Sequence, residues 1–415
     1  MHQRFSARED HPFNAKRPDV VGVALDRQGQ VYVTGAFAGA ASFDTTNLVS
    51  TGGLDIFLAK YTAAGQLLWV RQAGGNETFE YGLSISADPV DNVLVSGQFQ
   101  GAANFGGTNL FSRGGLDAFL AKYDPAGNLL WITQAGGAAE DVGRSVATDR
   151  AGNSYIAGWF ADDATFGPVN GSVTLTNLGS RDAFAAKYDS AGRLRWITFV
   201  ASPLGELSFG FGLDAATNGY LLAWLENTGG NQLGLYKFDP AGNSLWARSV
   251  RVNSSSSARG GLAVDAAGNS YFTSQFSGTA VFGTRTLLSQ GGSDTFAAKY
   301  DSAGALVWLK QALGSTTEEG RSIALDGANN PYLTGWFTGA VSFDGLNLTN
   351  VGGGDIFVTR LESAPALFIT RLASRAVISW PGTPAGFQLQ RSSVLPGTGP
   401  WQTISTAPAS PGGFN

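Results

Sequence analysis

A nine-residue segment that ends on tryptophan occurs five times in this chain, and this repetition constrains the fold more than any other feature. Each copy starts on Tyr or Phe, passes through a turn that contains Gly, and ends on Trp. The five tryptophans follow one another at steps of 62, 65, 50 and 62 residues: Trp69, Trp131, Trp196, Trp246 and Trp308. A long period that recurs this often predicts that one structural unit is stacked several times.

The composition favours strands joined by tight turns. Gly accounts for 57 of the 415 residues, which is about twice its usual share. Hydrophobic residues make up 43% of the chain and charged residues 14%, with a net charge of −5 and no run rich in Lys or Arg. We therefore expect no nucleic-acid partner and no binding to an anionic membrane surface.

The residue types that are missing exclude several kinds of site. The chain has no Cys, which excludes disulfides, thiolate metal ligands and a cysteine nucleophile. Its two histidines, His2 and His11, precede the repeats, so the repeats hold neither a Ser-His-Asp relay nor a His-based zinc site. No apolar stretch is long enough to predict a membrane span, and no signal peptide is visible in residues 1–19.

Each period contains four strand-like runs, named A, B, C and D here. In the second period they are residues 82–88, 93–99, 117–123 and 129–133, which are rich in β-branched and aromatic residues and are bounded by Gly, Asn or Asp. Run A recurs at 20–26, 143–149, 209–214, 260–265 and 321–326; run B at 31–37, 154–160, 220–225, 270–276 and 331–337; run C at 55–61, 182–188, 233–238, 294–300 and 355–361. Run D occurs five times, at the ends of the Trp segments, and the sixth period lacks it.

These counts predict an all-β fold, a six-bladed β-propeller of four-stranded blades over residues 1–362. The sixth blade lacks its outer strand. One period before Trp69 the chain reaches residues 5–7. We therefore predict that the N-terminal arm is the outer strand of the last blade and closes the ring, which removes the free sheet edges.

Most periods carry an insert between runs B and C. It contains two Phe residues six positions apart and ends near an Asp: Asp55, Asp117, Asp182, Asp294 or Asp355. The fourth period lacks the insert, which explains the step of 50 residues. The inserts predict longer loops on one rim of the ring, with a gap over the fourth blade.

The pattern changes after residue 362. Residues 363–415 contain alternating strand-like runs around Trp380 and Trp401 that do not follow the repeat. They are similar to the opening half of a fibronectin type III-like sandwich, as found in bacterial exported proteins, but are shorter than the roughly 100 residues of a whole one. We expect a partial module, truncated at its C-terminal end.

The repeated pattern resembles bacterial SBBP-type β-propeller repeats. It reads Gly-Gly-x-Asp-x-Phe-x-Ala-Lys-Tyr-Asp-x-x-Gly-x-x-x-Trp and then Gly-Arg-Ser-x-Ala-x-Asp-x-x-Gly-Asn-x-Tyr-x-x-Gly, over residues 20–361. The resemblance implies a propeller fold and an exported or surface location, but no single activity. The Trp-ending part also looks like the tryptophan-docking motif of pyrroloquinoline-quinone dehydrogenases. No feature of their cofactor site is recognisable, so we expect no cofactor.

The recurring motifs have structural explanations. Each Asp-x-x-Gly-Asn turn has one Asp and leads directly into a strand, whereas a calcium loop needs several oxygen ligands within 12 residues. We interpret these segments as hairpin turns in which Asp accepts backbone hydrogen bonds, and we expect no metal. The five repeated tryptophans are expected to pack between neighbouring blades.

A group of polar and aromatic residues is predicted at one end of the blades. Four acids lie eight residues before the Asp that ends run A: Glu80, Asp141, Glu206 and Glu318. Two arginines start run A in opposite blades, and three tryptophans lie near the end of run B: Arg144, Arg321, Trp159, Trp224 and Trp336. Around the mouth of a central channel such side chains suit a sugar or a cation. The same pattern also fits solvated loop acids and aromatics that pack between blades.

We therefore expect a secreted or cell-surface monomer that acts as a non-catalytic binding or interaction scaffold. Its ligand would be a polysaccharide or a protein on the face that carries the inserts. The alternative is a carbohydrate-active enzyme, a glycoside hydrolase or lyase, that uses two of the four acids. Ligand binding without turnover would favour the scaffold, and turnover abolished by one Glu→Gln change would favour the enzyme.

Overall fold

The computed structural model describes residues 19–361, apart from 78, 168–170, 229, 253–258 and 344–345, and the backbone of four short strands beyond them. Contacts divide the chain into two units, Met1–Arg360 and Leu361–Asn415. The predicted N-terminal strand at residues 5–7 lies outside the described residues, as does most of the predicted module at 363–415.

Every regular element in the described part is a β-strand, as the all-β prediction requires, and none of these residues lies in a helix that could cross a membrane. The first two repeats contain β1 (Asp19–Leu25), β2 (Val31–Phe43), β3 (Thr46–Tyr61), β4 (Leu67–Gly75), β5 (Tyr81–Ala87), β6 (Val93–Phe105), β7 (Thr108–Tyr123) and β8 (Leu129–Gly137). The third and fourth contain β9 (Asp141–Thr148), β10 (Ser154–Phe160), β11 (Ala164–Phe166), β12 (Val173–Leu175), β13 (Asp182–Tyr188), β14 (Leu194–Val200), β15 (Gly205–Leu213), β16 (Gly219–Glu226), β17 (Gln232–Phe238) and β18 (Ser244–Val252).

The last two repeats follow the same plan. They contain β19 (Gly260–Val264), β20 (Ser270–Phe276), β21 (Thr279–Phe282), β22 (Arg285–Leu288), β23 (Asp294–Tyr300), β24 (Leu306–Gln311), β25 (Leu313–Gly314), β26 (Glu318–Leu325), β27 (Pro331–Phe337), β28 (Ala340–Phe343), β29 (Leu346–Thr349) and β30 (Asp355–Arg360). In the second unit, β31 (Phe368–Leu372) pairs antiparallel with β32 (Arg375–Ser379), and β33 (Gln390–Arg391) with β34 (Gln402–Thr403).

The first five repeats are antiparallel meanders in the order A, B, C, D, and the described part of the sixth contains A, B and C. In the third repeat, β9, β10, β13 and β14 pair in this order. The A strands of successive repeats contact one another along the chain: β1, β5, β9, β15, β19 and β26. Strand A therefore lies on the inner side of the stack of repeats. In the first five repeats the central strands B and C are largely buried, which explains their nearly continuous apolar and small residues.

The inserts are β-hairpins, which corrects their prediction as loops. The end of β6 pairs with β4 of the preceding repeat, with Ala73 opposite Phe105. In the same way, β11 pairs with β8, β21 with β18 and β28 with β25. Each of these hairpins therefore pairs beside the outer strand of the preceding repeat. Backbone hydrogen bonds join the two repeats at this place.

Apolar side chains from consecutive repeats form shared cores. One buried cluster combines Ile56 and Leu58 of the first repeat with Ile85 of the second. The Phe residues six positions apart bring the insert into this packing, because the rings of Phe99 and Phe105 meet edge to face with centroids 5.8 Å apart. The repeats are therefore held together by the same apolar surface that stabilises each of them.

Four of the five repeated tryptophans also hydrogen-bond to the next repeat. The indole Nε1 of Trp69 donates to the carbonyl of Pro125, at 3.1 Å, in the turn of the next Trp segment. Trp131, Trp196 and Trp246 donate to equivalent turn carbonyls at 3.0–3.1 Å. The indole Nε1 of Trp308 is buried and has no hydrogen-bond partner in the described part of the chain.

The first and last repeats leave matching apolar faces exposed. Val23 on β1 is 65% exposed, whereas Ile85, at the same position in the second repeat, is 8% exposed. On β30, Ile356 and Val358 are 66% and 68% exposed, whereas the equivalent Ile56 is 3% exposed. In the interior of the stack these two kinds of face cover each other.

Candidate functional site

The four candidate acids lie at or just before the start of strand A and are almost completely buried, with exposures of 0–1%: Glu80, Asp141, Glu206 and Glu318. Each interacts with a buried Asp at the end of the insert in the preceding repeat: Asp55, Asp117, Asp182 and Asp294, respectively. The structure therefore pairs each of the four acids with an Asp of the preceding repeat.

Backbone and amide groups hold the pair formed by Asp117 and Asp141. The Gly137 N–H donates to Oδ2 of Asp141 at 2.8 Å. Asp117 accepts a 2.8 Å hydrogen bond from the Gln134 amide and a 3.2 Å bond from the Arg113 N–H. Oδ1 of Asp141 is buried without a hydrogen-bond donor. In the described part of the chain, backbone and amide N–H groups, and no cationic side chain in direct contact, therefore stabilise the negative charge of Asp117 and Asp141.

Burial, together with the neighbouring Asp, raises the pKa of each candidate acid. The pKa of Asp141 rises to about 8, and those of Glu80, Glu206 and Glu318 rise to about 7. In each case loss of hydration is the main cause and repulsion from the paired Asp adds to it. The neutral form of these acids is therefore favoured well above the pH at which an exposed carboxyl ionises.

Arg144 and Arg321 occupy equivalent positions in the A strands of the third and sixth repeats. Burial, and then the positive charge of Arg321, lowers the pKa of Arg144, so the two guanidinium groups lie within electrostatic range. The pKa of Arg259 is also lowered by burial and by Arg321. Three positive charges thus come together on the inner side of the stack.

One carboxylate and one indole complete this group, which we call the arginine cluster: Arg144, Arg259, Arg321, Glu319 and Trp336. Oε2 of Glu319 is 2.5 Å from Nη2 of Arg321 and accepts a 2.9 Å hydrogen bond from the Trp336 indole. Glu319 and Trp336 are directly opposite each other on β26 and β27. The cluster therefore carries a net positive charge and a partly exposed aromatic ring.

The other two candidate tryptophans lie in different surroundings. Trp224 is 1% exposed and belongs to an apolar core cluster. Trp159 is half-buried between Val142 and Ala183 on the neighbouring strands, and its Nε1 has no hydrogen-bond partner. Of the predicted group, the structure brings together Arg144, Arg321 and Trp336, whereas it buries the four acids and places Trp224 in an apolar core.

Sequence reasoning missed Glu319 and the Asp partner of each buried acid. Residues 318 and 319 are adjacent glutamates on a strand, so one must point inward and the other away; this alternation could have separated the buried acid from the exposed one. Within the described ranges, no group of three or more His, Asp or Glu side chains could hold a metal ion.

Comparison with known proteins supports the β-propeller repeat. Residues 130–159 match the SBBP family model, described as a beta-propeller repeat. An uncharacterized WD repeat-containing protein, L264 of Acanthamoeba polyphaga mimivirus, is 29% identical over 34% of this chain and 12% of its own length. The regulatory protein FlaEY of Caulobacter vibrioides is 29% identical over 34% of this chain and 15% of its own length. The matched regions are thus small parts of both relatives.

Solved structures show only distant similarity. A gluconolactonase from Xanthomonas campestris has a TM-score of 0.32 and 12% identity, over 74% of this chain and 87% of that one. The exotype rhamnogalacturonan lyase YesX has a TM-score of 0.31 and 11% identity, over 87% of this chain and 80% of that one. Similarity at this level carries nothing about the activity of this protein.

Proposed function

We propose that this β-propeller repeat protein is a non-catalytic binding module of the cell surface or secretome. The burial of all four candidate acids in pairs supports this proposal most strongly, because it keeps the carboxyl groups predicted for acid–base chemistry away from solvent. The arginine cluster is the remaining concentration of polar side chains from the predicted group, and it has the chemistry of a binding site.

A polysaccharide that carries carboxylate or sulfate groups fits the arginine cluster best. Guanidinium groups form paired, charge-assisted hydrogen bonds with planar anions. Arg321 forms an ion pair with Glu319, and the positive charge of Arg321 lowers the pKa values of Arg144 and Arg259. The partly exposed ring of Trp336 next to them would pack against the apolar face of a sugar.

If a single chain forms a closed ring of six repeats, the arginine cluster would lie in the central channel of that ring. The exposed faces that carry Val23 and Ile356 are the two kinds of face that cover each other elsewhere in the stack. We propose that they meet, and that residues 5–7 pair with β30 as the missing outer strand. Strand A of every repeat would then line one channel, with Arg144 and Arg321 on opposite sides.

An array of neutral and acidic polysaccharides tests the proposed function. We expect retention of acidic glycans without release of products, and about tenfold weaker binding or more in Arg321→Ala, because the loss of one charged hydrogen-bonding group costs about 1.5–3 kcal/mol. Arg195→Ala is the matched control, since Arg195 is exposed on β14 of the third repeat. Equal losses in both variants, or binding of proteins alone, would contradict the proposed polysaccharide ligand.

The raised pKa values of the buried acids are compatible with one alternative function, a glycoside hydrolase. A glycoside hydrolase needs a carboxyl group that stays protonated near neutral pH, and Glu206 has a pKa of about 7. In that case the array would show release of shorter sugars, and Glu206→Gln would abolish it. Secretion is tested separately, by assaying culture medium and cell fractions of the native host for the protein.

A further inference from the structure

The four carboxyl pairs connect consecutive repeats at equivalent positions. In each pair, the Asp comes from the start of strand C of one repeat and the second acid comes from the start of strand A of the next. The pairs are Asp55 with Glu80, Asp117 with Asp141, Asp182 with Glu206, and Asp294 with Glu318. An arrangement that recurs at the same place between repeats indicates a role in joining them.

Both members of the pair are missing between the fourth and fifth repeats. In the fourth repeat, Gln232 pairs with Leu225 just as Asp182 pairs with Phe160, so Gln232 occupies the Asp position. The second acid is also missing there, because the equivalent residue of the fifth repeat is Ser257. The joint absence of both acids at this junction is expected if the two carboxyl groups of a pair interact with each other.

The hydrogen bonds of Asp182 and Glu206 account for one oxygen of each side chain. The Leu178 N–H donates to Oδ2 of Asp182 at 3.0 Å, and the Ser202 N–H donates to Oε2 of Glu206 at 3.0 Å. The other two oxygens are buried, with no N–H or O–H donor from another group. The two side chains are close enough to affect each other's pKa, so a proton on one of them would let it donate a hydrogen bond to the other.

A proton fits these pairs better than a metal cation. Calcium requires six to eight oxygen ligands and magnesium six, whereas each pair offers two carboxyl groups. In the Asp117–Asp141 and Asp182–Glu206 pairs, both of these groups already accept N–H donors. Among the described residues, no pair belongs to a group of three or more His, Asp or Glu side chains that could hold a metal ion. A shared proton needs only one oxygen from each side chain, and two carboxyl groups in close contact commonly share one.

We propose that each of the four pairs holds one shared proton that joins neighbouring repeats, and that its loss at alkaline pH loosens the stack of repeats. This inference is independent of the proposed binding function, since it concerns the contacts between repeats and not the arginine cluster. When the proton leaves, two buried carboxylates face each other, and their repulsion acts directly between the repeats.

Few other charged groups face the pairs. Glu77 adds repulsion at Glu80, and Asp162 adds repulsion at Asp141. Arg113 attracts Asp117, and Tyr236 is close enough to Glu206 for its own pKa to be affected. At Glu318 the hydroxyl of Thr316 is the nearest polar side chain after Asp294. Only one of the four pairs therefore has a cation nearby that could compensate for the lost proton.

The direction of the pH effect follows from the raised pKa values. In the unfolded chain these carboxyls ionise near pH 4, whereas in the folded protein the pKa is about 7 for Glu206 and about 8 for Asp141. Between these values the folded protein binds more protons than the unfolded chain. Stability is therefore complete below about pH 4, falls as the pH rises towards about 8, and then levels off.

Thermal unfolding between about pH 5 and about pH 9 tests the proposal. In the wild type we expect the unfolding constant to rise with pH by on the order of 100-fold per pair. Asp141→Asn keeps a donor for Asp117 but cannot ionise, so the pH-dependent rise should shrink by at least about tenfold. Glu140→Gln, next to it in sequence and partly exposed, is the matched control and should follow the wild type. An Asp141→Asn profile parallel to the wild type would overturn the proposal.

Two further measurements keep the proposal falsifiable if Asp141→Asn does not fold. Glu206→Gln, in a different pair, should show the same reduced pH dependence. In the wild type, infrared spectra should show a protonated carboxyl band near neutral pH that disappears at alkaline pH, with part of it missing in Glu206→Gln. Restoration of alkaline stability by calcium chloride, and no carboxyl band at neutral pH, would identify a cation in place of the proton and overturn the proposal.

Discussion

At the scale of single residues, the turn aspartates connect local geometry with contacts between strands. Oδ1 of Asp88 accepts the N–H groups of Val90 and Asn92 at 2.9 Å, which fixes the A-to-B turn. Its Oδ2 is 2.8 Å from Nζ of Lys122, and both side chains are buried. The sequence predicted the turn, because its signal is local. It did not show the ion pair, because Lys122 lies in strand C, more than 30 residues away.

The buried ion pair gives a prediction at this scale. Asp88→Asn should lower the free energy of unfolding by about 3 kcal/mol, since it keeps the turn acceptor but leaves the Lys122 charge buried and unpaired. Asp239→Asn is the matched control, because Asp239 accepts the same kind of turn hydrogen bonds from Ala241 and Asn243; this variant should lose much less stability than Asp88→Asn. Chemical denaturation of both variants measures the difference, and equal losses would contradict a role for the ion pair.

At the scale of elements, neighbouring repeats are joined by the Trp segments and the insert hairpins. The spacing of strands A to D could be predicted because strand periodicity and turn residues repeat in the sequence. The insert hairpins could not, because β6 gains part of its pairing from β4, in another repeat. The acid pairs could not be predicted either, because they also form between repeats. Alternation along a strand shows that Asp141 points to one side, but not that Asp117 of the preceding repeat lies next to it.

The Trp segments give a prediction at the element scale. Trp131→Ala should lower the free energy of unfolding by about 3 kcal/mol, at the lower end of the range for buried aromatics because Trp131 is only half-buried. It also loses the 3.0 Å hydrogen bond to Ser190 of the next repeat. Leu130→Ala, one residue earlier and 51% exposed, should cost less than about 1 kcal/mol. Denaturant titration compares them; a loss below about 1 kcal/mol for Trp131→Ala would show that this contact between repeats contributes little.

At the scale of the whole molecule, the central claim is that six repeats form one closed ring. The repeat count came from the sequence, and the structure shows six successive A strands in contact. Closure depends on pairing between the two ends of the repeat region, which no local pattern encodes. The exposed apolar faces around Val23 and Ile356 are the physical reason to expect it, since large apolar patches are rarely left uncovered in a monomer.

Cross-linking of the N-terminal arm to β30 tests this claim most directly. Residue 7 lies one period of 62 residues before Trp69, and Arg360 occupies the place of Lys60, the strand partner of Trp69. Because the chain has no cysteine, the double variant Ala7→Cys/Arg360→Cys reports this contact alone. We predict a disulfide or short cross-link within the monomer, and none in the control Ala7→Cys/Arg195→Cys. Failure of the first pair to link, or linkage only between two molecules, would contradict a ring closed by its own N-terminal arm.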